Sequence, residues 1–157
     1  FLLAMYAINL AVFVGLGIDP STYSPSNQGV ENDTSSAGFV EKAIADLSDE
    51  PLPFALTVPG VAFAVPLLEE LVFRGALFSA LLQTPLGRVG TVVVTAALWA
   101  VNHAFGAPWL FVAIIFFMGL LLGFLLLRFG SLWVTVACHA AWNALSSLTI
   151  YSVAGSQ

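Results

Sequence analysis

Six strongly polar side chains stand inside otherwise apolar stretches of this sequence: Glu69, Glu70, Arg74, His103, His139 and Asn143. Three of them share the run Pro66-Leu67-Leu68-Glu69-Glu70-Leu71-Val72-Phe73-Arg74, within a segment that is apolar from Phe54 to Leu82. A charge at the centre of a bilayer costs about 2.5–3.5 kcal/mol on the most lenient scale, so ionisable residues there mark a site facing a cavity. Glu70 and Arg74 are four apart in the favourable acid-before-base order and can pair on a helix. Glu69 lies about 100° round the helix from Glu70 and is left as the unpaired carboxylate. His139 and Asn143, also four apart, share one helix face. A carboxylate and an imidazole meeting in a low-dielectric cavity can hold a water and deprotonate it. A second imidazole and a carboxamide can donate hydrogen bonds to a developing oxyanion. These are the parts for attack of water on an amide.

No nucleophile motif competes. There is no G-x-S-x-G, no H-E-x-x-H, and Cys138 is adjacent to His139, which turns it about 100° away on a helix. Taken singly, each residue has a plainer reading: Glu70–Arg74 a structural pair, His103 a helix-end residue bonded to a carbonyl, Asn143 a link between helices. Two acids against one base, however, leave a buried charge uncompensated. The expected helix ends put His103 about 10 Å from mid-membrane, with Glu69 and His139 near the centre. Tilt or offset must close that distance for His103 to join them.

The elements that would carry these residues are helical spans. Phe1–Ile18 reads as a first, N-terminally trimmed span, and lacks the basic n-region and cleavage signal of a signal peptide. Beginning without Met in an apolar run, the chain is expected to be part of a longer protein. Residues 19–53 read as a polar acidic loop outside the cytoplasm, with a short amphipathic helix at Ala37–Ser48. The remainder, 54–157, reads as a catalytic core of four helices. Its first span, Phe54–Leu82, would be about 43 Å long at 1.5 Å per residue, with Pro59 and Pro66 as kink points. Arg88–Ala104, Trp109–Phe129 and Ser131–Ser152 follow, and Gly119 with Gly123 forms a small-residue packing face. The fold class is all-α, a polytopic transmembrane bundle of about five spans.

Composition agrees. Apolar residues make up 59% of the 157 against about 45–50% in soluble domains, and charged residues 8% against about 25%. Net charge is −5, and the excess acid lies between Asp19 and Glu50. The absence of a basic patch excludes nucleic acid as a partner. With one cysteine there is no intrachain disulfide. Arg88 and Arg128 fall in turns on one side of the bundle and the acidic loop on the other, which places the arginines in the cytoplasm.

Glu69-Glu70-x-x-x-Arg74, an aromatic four before His103, and His139-x-x-x-Asn143, in that order and each on an apolar span, resemble the CAAX protease and bacteriocin-processing (CPBP, Abi) family. The similarity runs from about Leu67 to Asn143 and extends to the Arg128–Trp133 run. This family of intramembrane endopeptidases includes the type II CAAX prenyl endopeptidase. The resemblance implies that Glu69 is the general base and His103 helps it hold the water. It implies that His139 and Asn143 stabilise the oxyanion, with Glu70 and Arg74 supporting the site. Trp99 stands where the family usually has Phe, which keeps an aromatic wall.

The resulting expectation is a multi-pass protease of a prokaryotic plasma membrane. It would act on peptides or membrane-anchored proteins, prenylated CAAX tails among them, without a cofactor. Zinc on Glu69, His103 and His139 is the metal-dependent alternative. A proton-coupled carrier, or a non-catalytic immunity or scaffold protein of the same fold, are the competing functions. The sequence leaves substrate, cleavage site, host and oligomeric state open.

Overall fold

The computed structural model describes residues 1–5, 7, 51–105, 107 and 109–154. The expected loop at Ser21–Ser36, the amphipathic helix at Ala37–Ser48 and most of the Phe1–Ile18 span lie outside the described residues. Within them every regular element is helical. A composite rod begins with α1 (Pro51–Pro59), passes through a π-helical segment (Gly60–Ala64) into α2 (Val65–Glu70), then through a second π segment (Leu71–Leu77) into α3 (Phe78–Leu81). Three longer helices follow: α4 (Gly87–Asn102), α5 (Trp109–Phe129) and α6 (Leu132–Ala154). Residues 2–5 are helical as well, and Met5 is buried in the core.

Helix limits follow local chemistry. The rod starts at Pro51, three residues before the expected Phe54, because proline at a first helical position gives up an N–H that would have no partner there. The α5 limits match the expected span. Gly130 ends that helix with φ 63°, a left-handed conformation natural to glycine, while its N–H closes on Leu126 O at 2.8 Å. Expected Arg88–Ala104 is observed as Gly87–Asn102, with His103 as its cap. Expected Ser131–Ser152 is observed as Leu132–Ala154.

The expected single span between 54 and 82 changes register twice. Val65 N–H bonds Gly60 O and Phe78 N–H bonds Phe73 O, each five residues back. Backbone angles at every junction stay in the right-handed helical region, so the rod is continuous. One widened turn therefore lies on either side of α2, the six residues that carry Glu69 and Glu70. Such widened turns recur at functional positions in helices.

Two stretches among the described residues, Ala55–Leu81 and Trp109–Phe129, are long and apolar enough to cross a membrane. The most extensive helix pair is α4 with α5. A Cβ at Gly119 would stand 2.9 Å from Ala96 Cβ and 3.3 Å from Trp99 Cε3, and one at Gly123 would stand 3.1 Å from Val92 Cγ1. The two glycines thus let α5 approach α4 closely, and Gly119 makes room for Trp99. On α4, fully buried Thr95 returns its hydroxyl to Thr91 O at 2.8 Å.

Candidate active site

The α2 segment presents its two adjacent carboxylates to overlapping sets of partners, with His139 common to both. Glu70 is fully buried, and its Oε1 accepts from Arg74 Nη1 at 3.0 Å, the expected i,i+4 pair. The same oxygen lies 3.0 Å from His139 Nδ1 on α6. A carboxylate only accepts, so His139 donates its Nδ1–H to Glu70 and turns Nε2 the other way. Arg74 also lays its guanidinium over the Trp99 ring, 4.3 Å from the centroid. Its Nε and Nη2, and Glu70 Oε2, are buried with no hydrogen-bond partner among the described residues.

Glu69 keeps 21% of its side chain exposed and receives three groups from two other elements. Trp99 Nε1–H donates to Oε2 at 3.0 Å. His103 Nε2 stands 3.5 Å from Oε1 and His139 Nε2 3.8 Å from Oε2. His103 is oriented by its own helix end: its Nδ1–H donates to Trp99 O, one turn back, at 2.8 Å. That backbone bond is the plain reading of a helix-end histidine, and here it also aims Nε2 at Glu69. His103 and Glu69 therefore meet, although the expected helix ends set them about 10 Å apart in depth.

A family model for type II CAAX prenyl endopeptidase Rce1-like proteins matches residues 51–145. The chain belongs to that family. Its members are integral membrane proteases, and the match covers every residue of the site, from Glu69 to Asn143. No curated protein and no solved structure matches the chain.

Within this Rce1-like site the structure brings five of the six singled-out residues into one connected cluster: Glu69, Glu70, Arg74, His103 and His139. The sixth is engaged elsewhere. Asn143 Nδ2 donates to Val61 O, in the first π segment, at 3.2 Å. A carboxamide nitrogen carries two N–H groups, so one donor remains after that bond. Two relationships were missed in the sequence. Trp99 is a hydrogen-bonding partner of Glu69 and more than an aromatic wall. Glu70 serves His139 as well as Arg74. The departure from Phe at position 99 was the available signal for the first; no local spacing announces the second.

For zinc, Glu69, His103 and His139 are right in kind. Among the described residues, however, no group of three or more His, Cys, Asp or Glu side chains is arranged to hold a metal ion. Glu69 Oε2 is engaged by the indole N–H, and the Arg74 guanidinium covers that indole. No step below runs through a metal.

Proposed function

We propose that this chain is a multi-pass intramembrane endopeptidase that hydrolyses peptide bonds of membrane-anchored protein substrates, prenylated CAAX-type tails among them, with water activated by Glu69 and His103. The observation that carries this reading is the convergence of Trp99 Nε1–H, His103 Nε2 and His139 Nε2 on the Glu69 carboxylate. Family membership supports both the reaction class and a substrate held in the membrane. The full chain would cross the bilayer about five times, with the described helices forming the catalytic core.

In the proposed reaction a water between Glu69 Oε1 and His103 Nε2 gives a proton to the carboxylate as its oxygen attacks the scissile carbonyl carbon. The tetrahedral oxyanion is met by His139 and by the second N–H of Asn143. His139 gives its Nδ1–H to Glu70, so an oxyanion bond from Nε2 requires the ring to be an imidazolium. Collapse of the intermediate breaks the C–N bond, and the proton held by Glu69 passes to the leaving amine.

The test is cleavage of a reporter peptide library, CAAX-type prenylated peptides included, by purified protein in detergent. Wild type is run beside Glu69→Gln, with and without chelator. Cleavage abolished by Glu69→Gln and spared by chelator is the expected result. Cleavage lost to chelator and restored by zinc would replace the glutamate mechanism with a metal-dependent one. Activity equal in wild type and Glu69→Gln would overturn the assignment of the base.

A further inference from the structure

Trp99 is among the largest fully buried side chains of the protein, at 0% exposure. Its indole carries one polar group, an N–H that only donates, and a buried donor needs a partner. That partner is Glu69 Oε2 at 3.0 Å, an acceptor on a different helix, 30 positions away. The other Glu69 oxygen is the one that faces His103.

The same residue touches every other group around Glu69. Its ring meets the His103 and His139 imidazoles edge-on, at 5.2 Å centroid separation and interplanar angles of 79° and 76°. Its face carries the Arg74 guanidinium, and its carbonyl fixes the His103 tautomer. Gly119 leaves space beside the indole: a Cβ there would stand 3.3 Å from Cε3.

We infer that Trp99 is a positioning residue of this site: its indole N–H holds Glu69 Oε2 so that Oε1 stays turned toward His103 Nε2. The inference rests on the reading of Glu69 as the base. A phenyl ring at position 99 would keep the aromatic wall between the imidazoles and supply no donor. The carboxylate would then be free to rotate about its last side-chain torsion, which is broad and soft for glutamate. The indole also occupies one oxygen with a charge-assisted bond, leaving the other as the position for water.

The experiment separates the donor from the shape. Trp99→Phe, and replacement of the indole by a benzothiophene of the same outline that lacks the N–H, are compared with wild type in reporter-peptide cleavage. Both should lose about 10- to 100-fold in kcat, the scale of one hydrogen bond to a charged group, with KM within about twofold of wild type. In parallel, the ¹H–¹⁵N indole resonances of Trp99, Trp109, Trp133 and Trp142 are recorded in detergent, with Trp99 assigned by its loss in Trp99→Phe. The Trp99 resonance should shift most of the four in Glu69→Ala. A benzothiophene variant with wild-type kcat, or a Trp99 resonance indifferent to Glu69→Ala, would overturn the inference. Cleavage retained by Glu69→Gln would instead overturn the base assignment, and the resonance would still decide the hydrogen bond by itself.

Discussion

Asn143 Nδ2 donates to the carbonyl of Val61 at 3.2 Å, across 82 positions of sequence. The cause lies in a third residue. In the π register Val65 N–H takes Gly60 O, so the next donor, that of residue 66, would fall to Val61 O. Residue 66 is proline and has no N–H. The carbonyl left over is half-buried, and the α6 carboxamide satisfies it. The hydrogen-bonding need of a backbone carbonyl thus ties α6 to the rod one helical segment before Glu69.

Asn143→Ala should lower stability by about 1 kcal/mol, the low end of the cost of an acceptor left without its donor, since this one is half-buried. In a Pro66→Ala background a backbone N–H is available to Val61 O, and the same Asn143→Ala change should cost much less. Thermal unfolding of the four proteins in one detergent measures the coupling. Equal penalties in both backgrounds would sink the account of Pro66.

Arg74→Met should be more harmful than the double change Glu70→Gln with Arg74→Met. Removing the guanidinium alone leaves Glu70 buried beside His139 without its cation, a loss of about 3–5 kcal/mol for a broken buried pair. Removing both charges avoids that residue of uncompensated charge. The ordering is read from detergent unfolding midpoints, and a double variant less stable than Arg74→Met would contradict it.

His103→Ala should reduce kcat by about 10²–10⁴-fold, the usual worth of a positioned acid–base group, with little change in unfolding midpoint. Glu70→Gln should act differently, since it alters the acceptor that orients His139 and also unbalances Arg74. It is expected to lower both kcat and stability. Cleavage rates and unfolding midpoints on the same preparations distinguish the two patterns.

Gly119→Ala should destabilise the α4–α5 pair by about 1–3 kcal/mol, the range for overpacking a filled core. Its new methyl would meet Ala96 Cβ at 2.9 Å. Ala96→Gly in the same chain should recover only part of the loss, because Ala96 Cα, 3.0 Å from the new methyl, remains in place. Gly123→Ala meets only Val92 methyl groups, at 3.1 and 3.3 Å, and should cost less. Activity of Gly119→Ala should fall together with stability, as Trp99 is displaced.

What the sequence determined by itself is what depends on near neighbours along the chain. The all-helical class follows from long apolar runs, and the α5 limits from such a run ended by Gly130. The Glu70–Arg74 pair follows from a spacing of four, as does the shared face of His139 and Asn143. The candidate site residues stand out through the rarity of charge in apolar surroundings. Only the tertiary structure decided which of these groups meet. Glu69 with Trp99, His139 with Glu70 and Asn143 with Val61 all depend on how far one helix is displaced and rotated against another. A pattern of apolar and polar residues states which face of a helix is buried, and leaves its height against the next helix undetermined. The two π segments are of the same kind. Proline at 59 and 66 announces a disturbance, while the five-residue register on either side of α2 is seen only in the folded rod, where the π segments pack on α4 and α6.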